Sequence, residues 1–177
     1  MDWEYLEKHQ YTELYKLWNR LTSGSYFPQA VKRAAIPKKG GGQRYLGVPT
    51  ILDRIAQEVV RTHLERIVEP LFHQSSFGYR PGRSGHQAVQ QACNNTMNHD
   101  FAIDLDIKGF FDNIDHELMM KAVKHYCLDK WVLMYVERWL KAGIFHSDGT
   151  VYSHRAGNTS GRSIQSVVSQ YLFACGI

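Results

Sequence analysis

The sequence predicts a helix-rich α+β fold, and three observations carry that expectation. Apolar residues recur at three- and four-residue intervals in five separate stretches. Two short apolar runs flank Lys38-Lys-Gly-Gly-Gly-Gln43, a turn-forming segment. Phe101 to Ile107 alternates apolar residues with carboxylates, which is the period of a strand.

The totals set bounds. A chain of 177 residues suffices for one ordinary domain with a core, or for part of a larger one. Its 44% hydrophobic and 21% charged content is that of a globular protein and excludes a disordered or fibrous one. Net charge is +4 and the sequence pI about 8.9, a mild bias toward anionic partners. The distribution is more telling. Residues 31–49 hold five Lys or Arg and no acid, whereas residues 100–117 hold six acids and one Lys. The three cysteines, Cys93, Cys127 and Cys175, fit neither a zinc pattern nor a disulfide framework. With no signal peptide and no long apolar run, a reducing cytoplasm is the expected location.

In chain order, residues 3–22 place Trp3, Leu6, Tyr11, Leu14, Leu17, Trp18 and Leu21 at helical spacing. This predicts an amphipathic helix, broken near His9-Gln10, that packs on the rest of the domain. Val31 to Pro37 and Arg44 to Val48 read as a β-hairpin with cations at its tip. Its three glycines supply permissive backbone whose amides can approach a phosphate, although a solvated tip would look the same. Thr50 or Asp53 starts a helix reaching Val68, with Ile51, Ile55, Val59, Leu64 and Ile67 as its apolar positions, and Pro70 stops it. Asp53 and Arg54 read as exposed.

Phe72 to Ser84 is a polar loop in which Arg80 and Arg83 flank a Pro-Gly turn and Phe77 and Tyr79 are interleaved. Guanidinium groups among aromatics suit nucleic acid through phosphate pairing and base stacking; a surface turn with chance arginines is the alternative. Ser84 caps a helix through about Asn98, with Ala88, Val89, Ala92 and Met97 partly buried. Further helices span Asp115 to His125, with Leu118, Met119, Ala122 and Val123 inward, and Trp131 to Lys141. In the latter, Trp131, Leu133, Met134, Val136, Trp139 and Leu140 read as core. Ile144-Phe145 and Thr150 to Ser153 form a last hairpin.

Asp104 and Asp106 share one face of the expected strand at Phe101 to Ile107. Two neighbouring carboxylates repel unless a cation sits between them, and Mg²⁺ takes one or two carboxylates together with phosphate oxygens. A solvated strand face is the other reading.

Three runs of residues resemble group II intron-encoded reverse transcriptases. Asp106-Ile-Lys-Gly-Phe-Phe-Asp112 with Asn113-Ile-Asp-His116 is similar to the first catalytic motif of that family. The resemblance implies that Asp106, assisted by the Ile107 carbonyl, binds the catalytic Mg²⁺ ions, and that Phe111 lies under the nucleotide sugar and excludes a 2′-hydroxyl. Asp104 is the weaker candidate. Ile36-Pro-Lys-Lys-Gly-Gly-Gly-Gln-Arg-Tyr-Leu-Gly-Val-Pro-Thr50, with Asp53, Arg54 and Gln57, resembles the family's fingers motif. There a Lys and an Arg six residues apart hold the incoming triphosphate, which implies that role for Lys38 and Arg44 and structural ion pairing at Asp53-Arg54. Ser76-Phe-Gly-Tyr-Arg-Pro-Gly-Arg-Ser84 with His86 resembles the next motif, which implies template contact by Arg80 and Arg83.

The resemblance implies fingers over residues 1–98, an incomplete palm of a right-hand polymerase over 99–157, and a non-family tail over 158–177. The implied chemistry is RNA-directed DNA synthesis by two Mg²⁺ ions, one activating the primer 3′-hydroxyl and one steadying the pyrophosphate. The implied partners are RNA template, DNA primer, deoxynucleoside triphosphates and intron RNA, with maturase assistance to splicing. After Gly157 the family's Gly-Thr-Pro-Gln-Gly-Gly and aromatic-x-Asp-Asp motifs do not appear. Permitted codons for Asn158 onward, read one base out of phase, restore Gly-Thr-Pro-Gln-Gly-Gly in register, so the expectation is a one-base insertion that truncated a longer enzyme. The isolated chain is then expected to be catalytically inactive, with exposed palm surface available for a homodimer. A non-catalytic RNA-binding fragment and an inert remnant are the other classes.

Overall fold

The computed structural model describes residues 3–37, 40–97, 99–106, 115–145 and 151–152. Helix α1 (Trp3–Thr22) carries Glu4 in its first turn and Arg20 in its last, each at the end of the helix dipole that favours it. His9 departs from helical geometry at φ −121°, ψ 18°, where the sequence predicts a break. Gly24 closes the helix in the left-handed region (φ 71°), which a side chain would strain.

Strands β1 (Val31–Pro37) and β2 (Gln43–Val48) pair antiparallel, with Ile36 opposite Arg44 and Pro37 opposite Gln43. Gly41 and Gly42 turn the tip at φ 87° and 82°, conformations that L-residues rarely adopt. Helix α2 (Ile51–Val68) starts at Thr50, whose side chain accepts from the Asp53 amide, and gives way to a 3₁₀ turn over Glu69–Leu71 that contains Pro70. Helix α3 (Gly85–Thr96) opens with a reciprocal capping box between Ser84 and Gln87. Helix α4 (His116–Tyr126) is capped by Asp115, which accepts from the amides of Glu117 and Leu118. Helix α5 (Lys130–Leu140) follows after three residues.

Strands β3 (Ile144–Phe145) and β4 (Val151–Tyr152) form the expected second hairpin. The sequence does not announce where it docks. β3 runs parallel to β1, with Val31 opposite Ile144, so the two hairpins make one sheet in the order β2-β1-β3-β4. The fold is thus a helix-rich α+β arrangement.

A single apolar cluster joins Leu17 of α1, Tyr26 of the connector, Ala56, Val60 and Leu64 of α2, Met119, Ala122 and Val123 of α4, Cys127, and Val132, Tyr135, Val136, Trp139 and Leu140 of α5. It takes residues from both sides of position 98. Three bonds fix the end of α1 and the α1–β1 connector to α5. The Tyr135 hydroxyl donates to the Leu21 carbonyl at 2.7 Å, and Arg138 Nη1 donates to the carbonyls of Gly24 (2.7 Å) and Tyr26 (2.6 Å). The Arg138 guanidinium also lies 4.0 Å from the Phe27 ring centroid.

Several expected faces differ. In α1 only Leu6 and Leu17 are buried, while Trp3, Tyr11, Tyr15 and Trp18 stand in solvent, because one edge of the helix suffices to meet the cluster. In α2 the buried positions are Asp53, Ala56, Val60, Leu64 and Val68. That row is offset from the expected one, and Val59 faces out. Leu118 is exposed and Trp131 partly so, each on the outer edge of its helix. In α3, Val89, Ala92 and Met97 are exposed, since nothing among the described residues buries any position of that helix.

The expected strand at Phe101 to Ile107 is not a strand over its described residues 101–106. All six residues are exposed, the apolar Phe101, Ile103 and Leu105 at 89%, 84% and 87% as much as the carboxylates between them. Among the described residues no strand lies beside it, and an unpaired strand leaves its amides and carbonyls without ladder partners. The tail over 158–177 lies outside the described residues.

Candidate nucleic-acid and nucleotide site

Asp104 and Asp106 are solvent-exposed and, among the described residues, meet no cation. Two exposed carboxylates one residue apart are hard oxygen donors of the type Mg²⁺ takes, so their chemistry fits that ion. Ile107 and Phe111 lie outside the described residues. In the hairpin, Lys38 lies outside them as well, whereas the backbone of Arg44 sits in β2 opposite Ile36, one residue in from the last pair. The cation expected near the tip is thus carried on a paired strand, which fixes its backbone.

The base of the hairpin is held by a buried carboxylate. Asp53, 2% exposed, accepts from the Tyr26 hydroxyl and, at 2.6 Å, from the Thr50 hydroxyl. The Asp53 amide in turn donates to Thr50 Oγ1 at 3.2 Å. The expected exposure of Asp53 and its expected ion pair are both replaced by hydroxyl hydrogen bonds, while Arg54 is exposed. Burial, then the hydrogen bond to Asp53, hold the Tyr26 phenol protonated well above its ordinary range. Since Tyr26 precedes β1 and Thr50 follows β2, this triad ties the two ends of the hairpin together at the start of α2.

The loop at Phe72 to Ser84 is organised by Arg80. Its side chain is 7% exposed and forms a forked pair with Glu69, with Nη2 at 2.8 Å from Oε1 and Nε at 3.1 Å. Nη1 donates to the carbonyls of Ser76 (2.8 Å) and His73 (3.0 Å), and the guanidinium packs over Phe72. Arg80 therefore faces the loop's own backbone. Arg83 is exposed and lies 5.3 Å from the Phe77 ring centroid. Tyr79 is 81% exposed with φ +54°, a conformation that costs a non-glycine residue about 1–2 kcal/mol. The fork at Arg80 holds the strained turn and leaves Tyr79 and Arg83 facing solvent.

Replacing Arg80 with lysine should not rescue what alanine loses. A point charge cannot span Glu69 and two carbonyls, so both variants should cost about 2 kcal/mol. A chemical denaturation midpoint in which the lysine variant matched the parent would show that charge alone suffices.

A reverse transcriptase (RNA-dependent DNA polymerase) family profile matches residues 36–170. The chain belongs to the reverse transcriptase family. The match takes in the end of β1, the hairpin tip and β2, the Arg80 loop and the Asp104-Asp106 stretch, and it runs past Gly157, where the sequence resemblance is expected to end. This reverse transcriptase domain is 39% identical over 129 residues to the group II intron-encoded protein LtrA of Lactococcus lactis subsp. cremoris, an overlap covering 72% of the chain and 22% of that protein. It is 36% identical over 137 residues to the Escherichia coli protein YkfC, covering 74% of the chain and 36% of that protein. It is also 32% identical over 155 residues to a putative COX1/OXI3 intron 1 protein of Saccharomyces cerevisiae, covering 88% and 19%. The chain thus spans well under half the length of these relatives. Among the described residues no helix is long and apolar enough to cross a membrane.

Two features of the domain escaped the sequence reading. Asp53 gave a signal, as a carboxylate on an otherwise apolar row of α2. His63, Cys127 and Asp129, which meet in space, gave none, because the histidine is distant in sequence from the other two.

Proposed function

We propose that this chain is the fingers (1–98) and first part of the palm (99–157) of a group II intron-type reverse transcriptase, and that by itself it binds RNA without polymerising. The observation that carries the reading is the exposed Asp104-Asp106 pair within the matched stretch, flanked by apolar residues with, among the described residues, no strand beside them. Asp106, with the Ile107 carbonyl, would hold Mg²⁺. Bound there, the metal would supply Lewis acidity for phosphoryl transfer. Lys38 and Arg44 position the triphosphate, and Phe111 screens the sugar at its 2′ carbon. Arg83 and Tyr79 meet template by phosphate pairing and stacking, while Arg80 acts through the loop whose shape it keeps. The partners are RNA template, DNA primer, deoxynucleoside triphosphates and intron RNA.

Two measurements test this. Primer extension with Mg²⁺ should give no incorporation, since the aromatic-x-Asp-Asp motif that would join Asp106 does not appear in the sequence; incorporation by this 177-residue chain overturns the inactive reading. RNA affinity should fall steeply with salt, Tyr79→Ala should weaken it by about 1 kcal/mol (roughly fivefold), and Arg83→Ala should lower the salt slope by about one. Salt-independent binding, or none, sinks the RNA-binding reading.

A further inference from the structure

Away from the polymerase residues, three side chains of metal-ligating type converge. His63 Nε2 on α2 lies 2.6 Å from Asp129 Oδ2, and Cys127 Sγ lies 3.6 Å from the same oxygen. The ligand atoms of all three fall within 4.8 Å of one another. Cys127 and Asp129 belong to the three-residue link between α4 and α5.

Two independent features mark the cluster as more than a chance ion pair. Asp129 occupies the N-cap of α5, where a carboxylate ordinarily accepts from the helix's free amides, yet it makes no such bond and turns toward His63 and Cys127. The His63 ring is steadied by the edge of Trp131, with centroids 5.0 Å apart, as ligating imidazoles are held by neighbours outside the ligand set. The sulfur lies at the buried base, while His63 and Asp129 are partly exposed, so a fourth position opens to solvent.

We propose that His63, Cys127 and Asp129 form a three-ligand site for a zinc-type divalent ion that fastens α2 to the α4–α5 link. Nitrogen, sulfur and oxygen donors together suit a borderline ion such as Zn²⁺, and the donor set lacks the several oxygens that Mg²⁺ or Ca²⁺ requires. Tetrahedral zinc places such donors about 3.3–3.6 Å apart, so binding needs side-chain rotation that parts His63 Nε2 from Asp129 Oδ2 and draws the more widely spaced ligand atoms, now within 4.8 Å, together. The site joins residues on either side of position 98 and is independent of the reverse transcriptase reading. It would hold whether or not the chain polymerises.

The test uses the full 177-residue chain, freed of metal and titrated with Co²⁺ alone and then with Zn²⁺ alone. Co²⁺ should give a near-ultraviolet thiolate-to-cobalt band with visible bands of tetrahedral intensity. Zn²⁺ at a hundredfold above its dissociation constant should raise the unfolding midpoint by roughly 5–10 °C. Cys127→Ser should abolish the thiolate band, whereas Cys93→Ser at an exposed cysteine should leave it. His63→Gln, at a partly exposed position that the fold tolerates, should weaken binding at least tenfold. Absence of the band in the parent chain leaves only an ion pair and overturns the proposal. A band or Zn²⁺ shift that survives unchanged in His63→Gln overturns it as well, by assigning the ion to other residues.

Discussion

Replacing Asp53 with alanine should lower the thermal unfolding midpoint of the chain by roughly 6–12 °C, the equivalent of about 3 kcal/mol in a domain of this size. The carboxylate is buried with two hydroxyl donors aimed at it, from Tyr26 and Thr50, and it closes the N-terminal turn of α2 through its own amide. Alanine strands both hydroxyls without acceptors, and each buried unpaired group costs about 1–3 kcal/mol. Asparagine should recover part of the loss, since it keeps the shape and one acceptor but turns an NH₂ toward one of the donors. An asparagine variant as damaged as alanine would mean that charge, not hydrogen bonding, holds the site.

The same triad gives a pH dependence with a definite sign. The Tyr26 phenol titrates above its ordinary value of 10.0 in the folded chain, so the folded state keeps a proton that the unfolded state releases. The contribution is complete below pH 10 and is lost as pH rises through the folded-state value. The midpoint difference between the parent and Tyr26→Phe should therefore be constant up to about pH 10 and shrink above it. A difference that widened with alkalinity would reverse the assignment.

How far the sequence reached follows from which interactions are local. Caps and breaks are written within four residues, and Thr50, Ser84 and the kink at His9 stand where the chain predicts them. Choice of face is not local. Trp18, Val59, Leu118 and Val89 are apolar at helical spacing yet face solvent, because a helix row is buried only if another element covers it. Residues 101–106 show the same principle in a strand pattern, with the right alternation and no neighbour to pair with. Pairing of β1 with β3 joins residues more than a hundred positions apart, and no local signal encodes that. Within the candidate site, Arg83 lies exposed, as either reading of the loop requires, whereas Arg80 turns inward to Glu69 and two loop carbonyls. Composition cannot separate a guanidinium that shapes a loop from one displayed on it.

Trp139 tests whether the aromatic cluster of Tyr26, Tyr135 and Trp139 acts as one unit. Its ring is buried beside Tyr135 and Tyr26, with centroids 5.7 Å and 6.4 Å away, and its Nε1–H has no partner among the described residues. Trp139→Ala should cost about 3–5 kcal/mol, the loss of a large buried ring plus the cavity it leaves. Trp139→Phe should cost under about 1.5 kcal/mol, because it removes an unpaired buried donor along with part of the packing. A phenylalanine variant as unstable as alanine, measured by urea midpoint, would show that the indole N–H is bonded after all. Because Tyr26 sits between this ring and Asp53, Trp139→Phe and Asp53→Ala should not add. A ring that shifts toward the space at position 139 already weakens its bond to the carboxylate. The double variant should therefore lose about 0.5–1 kcal/mol less than the two single losses together. Strict additivity would mean that the hydroxyl of Tyr26 is held by Asp53 alone, and that the aromatic cluster merely fills space.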